Sequence, residues 1–147
     1  MSEHVVDVSW ARGDAEFTYQ TYSRDHVWRF DGGATITATA SPAYLGNEAH
    51  VDPEEAFVAA LASCHMLTFL AIAAKKRFVV DSYDDRAVGY LEKNDAGRLA
   101  ITRVVLQPEV GFAGDEPDAE TLKQMHQQAH EQCFIANSVK TEVTVEL

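Results

Sequence analysis

Basic residues are scarce in this chain. Lys and Arg total 12 against 23 Asp and Glu over 147 residues, a formal net charge of −11. A phosphate backbone or an anionic membrane surface calls for the opposite sign, so nucleic acid and membrane are disfavoured as partners. Cysteine is also rare: two residues, Cys64 and Cys133, cannot build a disulfide framework. No CxxC, GxGxxG, GxxxxGK[ST] or GxSxG is present, so nucleotide binding and serine hydrolysis have no motif behind them. Four prolines and eight glycines are too few for a disordered or collagen-like chain. The opening MSEHVVDVSW has no basic stretch followed by an apolar run, so no secretory signal is read there and the expectation is a cytoplasmic protein with reduced thiols.

What is present suffices for one domain over residues 1–147, with 46% hydrophobic residues to supply a core. Strand formers dominate the first fifty residues. Strands are expected at Val5–Trp10, Glu16–Tyr22, Val27–Phe30 and Ala34–Ala40, with a turn at Asp31-Gly32-Gly33 and a loop over Ser41–Val51. Asp52-Pro53-Glu54-Glu55 is a helix start: a capping Asp, a Pro at the first helical position and a Glu at capping-box spacing. Lys75-Lys76-Arg77 places cations at the other end, giving a helix of about 25 residues, roughly 37 Å long. Its stretch Ala56–Ala74 has no charged residue and reaches the lower length limit for a membrane span. Ser63, Cys64, His65 and Thr68 at its middle favour a buried core helix instead. Two long strands, Val79–Glu92 and Arg98–Phe112, flank a turn at Asn94–Gly97. A helix over Asp118–Gln132, with Leu122, Met125 and Ala129 on one face, precedes a final strand, Val139–Leu147. This order is α+β, with antiparallel sheets and a long central helix.

Cys64 and Cys133 admit two readings: small buried hydrophobes, or a redox pair if the fold brings them together. A mid-helix cysteine lacks the activation available at a helix N-terminus, so a Cys64 thiolate needs a cation from elsewhere. His126 and His130, spaced i, i+4, lack the further ligands of a zinc site and read as an exposed or capping pair. His65 adjoins Cys64, but successive helical residues point about 100° apart. Phe57, Met66, Leu67 and Phe69 read as core or as the wall of an apolar pocket.

The run from Asp52-Pro53-Glu54-Glu55 to Ala62-Ser63-Cys64 resembles the central helix of the osmotically inducible protein C (OsmC) and organic hydroperoxide resistance superfamily. Glu54 and Cys64 keep the family's ten-residue spacing, and Cys133 follows a helix near the C-terminus as the family's second cysteine does. The resemblance implies a cysteine-based thiol peroxidase acting on organic hydroperoxides, with Cys64 peroxidatic and Cys133 resolving. Sulfenic acid chemistry agrees: a sulfenic acid condenses with a neighbouring thiol to a disulfide. The resemblance further implies an arginine that stabilises the thiolate, matched best by Arg24 with Arg29 as alternative, and oriented by Glu54. It implies an intertwined homodimer, an external dithiol reductant of lipoyl type, and no cofactor or metal. Ten helical residues separate Glu54 from Cys64 by about 15 Å, so one guanidinium does not readily meet both on one straight helix. The expectation is therefore a site shared between subunits. Phe134 stands where many members have proline, and His65 where an aromatic is usual. The competing reading is a non-catalytic redox-sensing or small-ligand-binding module on the same fold.

Overall fold

A computed structural model describes all of residues 1–147, which divide into two compact units, 1–56 and 57–147. The first holds a three-stranded antiparallel sheet, β1 (Val6–Ser9), β2 (His26–Phe30) and β3 (Thr35–Ala38), in the order β1-β2-β3. Trp28 sits opposite Val8 on one side and Ile36 on the other. Gly33, at φ 90°, closes the β2–β3 turn by donating its N–H to the Phe30 carbonyl. Gly46 lies so close to Ala40 that a Cβ there would overlap the Ala40 carbonyl.

Glu16–Tyr22 is not a strand. Its aromatic and Thr-rich composition points to one, but local side-chain hydrogen bonds win. The Thr21 hydroxyl donates to the Glu16 carbonyl at 2.5 Å and accepts the Thr18 N–H at 3.1 Å, folding the segment into turns. Its aromatics pack on one another rather than on a sheet: Phe17 lies 5.1 Å from Tyr22 and 6.0 Å from Trp10.

Helix α1 (Pro53–Lys75) opens in the capping box its sequence announces. The Glu55 N–H donates to Asp52 Oδ1 at 2.8 Å, and the Asp52 N–H to Glu55 Oε2 at 3.1 Å. At the other end Arg77 adopts φ 66°, and the Phe78 N–H donates to the Ala73 carbonyl, a terminating turn that glycine usually makes.

In the second unit each of the two long expected strands is split. β4 (Val79–Asp85) and β5 (Val88–Lys93) part at Arg86-Ala87; β6 (Leu99–Leu106) and β7 (Pro108–Ala113) part at Gln107. The break has a chemical cause. The Gln107 N–H donates to the Asp85 carboxylate at 2.7 Å instead of to a ladder partner, and Pro108 has no N–H to offer. The halves go to different sheets: β4 pairs antiparallel with β7, while β5, β6 and β8 (Glu142–Val145) form a second sheet whose β6–β8 pairing is parallel. Helix α2 (Ala119–Gln132) is N-capped by Asp118, which accepts the Thr121 N–H at 2.7 Å.

α1 serves both sheets. Leu61 joins Val104 and Leu106 in one buried cluster, with Phe57 and Val58 beside it. A few turns on, Phe69, Ile72 and Ala73 join Met125 and Ala129 of α2 in another, covered by Val80, Tyr83, Val110 and Phe112. This is the one helix long and apolar enough to cross a membrane, with mean hydropathy 2.0. Its stripe of Leu61, His65, Phe69, Ile72 and Ala73 makes it the core helix of the second unit. The opposite side is not buried: Leu67 is 60% exposed.

Candidate functional site

The two cysteines are neighbours in the fold. Cys64 lies at the middle of α1, between the two apolar clusters; Cys133 is the residue on which α2 ends. Both are free, and Cys64 is near enough to bear on the ionisation of Cys133. Cys133 is only 1% exposed, whereas Cys64 is half-buried, so Cys64 is the sulfur a solute reaches first. Burial, then the neighbouring Cys64 thiol, pushes the Cys133 thiol pKa up. The Ala136 N–H donating to Cys133 Sγ at 3.4 Å pulls more weakly the other way.

Beside the thiols the core is polar where the sequence suggested a surface. His126 is not an exposed or capping residue. It is buried between the helices, and its Nδ1 lies 3.0 Å from Nε2 of the equally buried His65. The i, i+4 spacing of His126 and His130 points to a helix surface because nothing local reveals that α1 supplies His126 with a partner. No group of three His, Cys, Asp or Glu side chains has the geometry to hold a metal. Burial lowers the pKa of both imidazoles from 6.5 to about 4, His126 and His130 adding to the effect on His65, so the pair is neutral near pH 7. His65 Nδ1, His126 Nε2, His130 Nδ1, Tyr83 Oη and Asp85 Oδ2 are buried without a protein partner. Correspondingly, burial raises the pKa of Tyr83 and of Asp85.

Arg24 and Glu54 fall in the first unit, where both line a cavity of about 650 Å³. Trp10, Phe17, Tyr22 and Tyr44 give it a largely aromatic wall. Arg24, 9% exposed, donates from Nη1 to the Tyr22 carbonyl at 2.6 Å and from Nη2 to the Tyr19 carbonyl at 2.5 Å. Its guanidinium carbon sits 3.7 Å from the Tyr22 ring centroid. No carboxylate pairs with it, so a buried cation faces the cavity with only carbonyls and rings for company. Arg29, the alternative, points elsewhere: its Nη1 donates to Ser9 Oγ across β1–β2 at 2.7 Å. The pocket wall suggested for Phe57, Met66, Leu67 and Phe69 is not part of this cavity, and Phe69 is core.

A family model described as OsmC-like protein matches residues 46–147. The peroxiredoxin OsmC of Escherichia coli K12 is 33% identical over 99 residues, 67% of this chain and 67% of that protein. Among solved structures, an OsmC-like protein of unknown function from Vibrio cholerae matches over 99% of both chains, with 57% identity and a TM-score of 0.96. An organic hydroperoxide resistance protein from Elizabethkingia anophelis matches over 99% of this chain and 96% of its own at TM-score 0.74. At 14% identity that last likeness is one of fold.

Proposed function

The chain belongs to the OsmC-like protein family, and from that premise we propose that it is a thiol peroxidase that reduces organic hydroperoxides with Cys64 and Cys133. One observation carries the reading: two free thiols, far apart in sequence, are neighbours in the fold, near enough for Cys64 to bear on the ionisation of Cys133.

The Cys64 thiolate attacks one peroxide oxygen. An S–O bond forms, the O–O bond breaks, and the alkoxide leaves with a proton as the alcohol. Cys64 is then a sulfenic acid. Cys133, losing its proton, attacks the Cys64 sulfur; the S–S bond forms and the hydroxyl departs as water. An external dithiol, of lipoyl type in the family pattern, returns both thiols by exchange and is itself oxidised to a disulfide. The half-exposed sulfur meets the peroxide and the buried one resolves, which fits the raised pKa of Cys133.

In this reading Arg24 supplies the cation that Cys64 lacks at mid-helix; Glu54 lines the same cavity without pairing with Arg24, so an orienting role for it requires its carboxylate to swing onto the guanidinium in the working assembly. A buried guanidinium without a carboxylate, in an aromatic cavity, suits a thiolate and the developing alkoxide of an apolar peroxide. In this reading the working unit is a homodimer whose sites draw on both subunits.

Titration of the reduced protein with cumene hydroperoxide and hydrogen peroxide, followed by disulfide mapping, tests the reading, with Cys64→Ser and Cys133→Ser alongside. Stoichiometric Cys64–Cys133 bridging that prefers the organic peroxide is expected, with Cys64→Ser inert and Cys133→Ser halting at the sulfenic acid. Bridging without turnover on added dithiol identifies a redox sensor. A Cys64 that stays a thiol overturns the proposal.

A further inference from the structure

A helix with apolar side chains on most of its circumference has a rotational problem. Contacts among Leu, Phe and Ala hold it in place but discriminate weakly between neighbouring settings, because cores tolerate hydrophobic rearrangement. α1 is such a helix. Where it meets α2, adhesion comes from Phe69, Ile72 and Ala73 against Met125 and Ala129. One side-chain hydrogen bond joins the two helices, between His65 Nε2 and His126 Nδ1. The rings are parallel with centroids 5.3 Å apart, and Phe69 stacks on His126 at 4.3 Å.

This pair is not the cheapest way to fill the space. Between two neutral imidazoles one N–H donates and one lone pair accepts, so the outer nitrogens are one donor and one acceptor. Both are buried with no protein partner. Each such atom keeps an uncompensated desolvation penalty, which an apolar pair of similar volume avoids. What the hydrogen bond adds is direction: it forms at one rotation and one axial position of α1 on α2.

That direction matters next door. His65 follows Cys64 directly, and α2, which carries His126, ends on Cys133. A disulfide needs its two Cα atoms within about 7 Å, and a one-residue rotation of α1 turns Cys64 by about 100°. We infer that the His65–His126 hydrogen bond is a registry pin that holds Cys64 opposite Cys133 for disulfide closure. The two histidines are positioning residues, and the inference rests on the reading that these thiols form the working disulfide.

The test is thiol–disulfide equilibrium in a glutathione buffer. Protein dithiol plus glutathione disulfide gives protein disulfide plus two glutathione thiols, and mass spectrometry reads the bridged fraction. The variant H65L/H126L removes the hydrogen bond and both orphaned nitrogens together. The variant H65Q/H126N keeps a hydrogen bond, since a Gln amide reaches the position of Nε2 and an Asn amide that of Nδ1. The Leu pair is expected to lower the closure constant by about tenfold or more through lost pre-orientation, with a melting temperature equal to or above the wild type. The amide pair is expected to recover most of it. A wild-type closure constant in the Leu pair overturns the inference, as does loss of folding there, which would make the histidines structural. A folded amide pair that closes no better than the Leu pair overturns it too. Peroxide turnover by the wild type judges the parent reading separately, because the glutathione equilibrium involves no peroxide.

Discussion

The two units of this chain are stabilised differently. In residues 57–147, Leu61, Phe69, Ile72, Val104, Leu106 and Met125 are buried in two apolar clusters that grip one helix. In residues 1–56 the buried residues are Arg24, Ala38, Thr39 and Asp52, three of them polar or charged. Its sheet leaves Val6, Val8, Phe30 and Ile36 substantially exposed. Hydrogen bonds organise it instead: Arg24 to two carbonyls, Trp10 to the Ser23 carbonyl at 2.7 Å, Thr39 to the Asn47 N–H. The proposed nucleophile thus stands in a close-packed setting, and the cation proposed to serve it stands in a polar, aromatic one. Rigid packing fixes a distance between two sulfurs; a cavity admits a substrate.

The contrast is easiest to break from the packed side. Phe69→Ala removes the largest side chain shared by α1 and α2, and truncations of this kind cost about 3–5 kcal/mol. A fall of that size in chemical unfolding is expected, with the cavity of the first unit unaffected. A loss below about 1 kcal/mol would mean that the clusters do not carry the second unit's stability.

On the polar side the next effect is on rate. Arg24→Leu keeps the apolar stem and deletes the charge. In the proposed mechanism kcat/KM for cumene hydroperoxide falls about 100-fold, equivalent to about 2.7 kcal/mol of barrier. Arg24→Lys is expected to recover only part of this, since an ammonium does not reproduce the fork that grips the Tyr19 and Tyr22 carbonyls. Stopped-flow oxidation of Cys64 separates this from misfolding, provided the far-ultraviolet spectrum is unchanged. An unchanged rate removes Arg24 from the site. Smaller again is the cap: Asp52→Ala, which breaks one of the two capping-box hydrogen bonds, is expected to cost about 1 kcal/mol in unfolding.

What the sequence revealed follows the range of the forces involved. The capping box at Asp52–Glu55 and the Asn94–Gly97 turn are settled by residues within a few positions of one another, and both stand where the sequence puts them. Glu16–Tyr22 misleads because its strand propensity is overruled by hydroxyl-to-backbone bonds that propensity does not encode. The break at Gln107 depends on a carboxylate 22 residues away, that of Asp85. The site divides the same way. Cys64, Cys133, Arg24 and Glu54 were nameable only through a family's spacing; composition and periodicity left both cysteines open. The proximity of the thiols and the His65–His126 hydrogen bond join α1 to residues of the C-terminal third, 61 positions apart for the histidines. Local pattern carries no trace of such a pairing.

The histidine pair also yields the effect that is smallest near neutrality. Both imidazoles titrate near 4 in the folded protein against 6.5 when free, so between those values the unfolded chain binds more protons. Stability therefore declines as pH falls through 6.5, by about 1 kcal/mol for the pair between pH 7 and pH 6, and the decline levels off below about 4. The groups around the pair do not share this sign. Asp85, its carboxyl pKa raised by burial, takes up its proton more readily when folded and works in the opposite direction, while Tyr83 and its raised pKa stay protonated throughout. The acid limb of a melting-temperature profile thus reports the histidines only if it flattens in H65L/H126L. A limb of unchanged slope in that variant would assign the acid sensitivity to carboxylates elsewhere, the polar first unit included. It would leave the packed unit indifferent to pH, and the division between a proton-sensitive core and a hydrogen-bonded cavity would have to be redrawn.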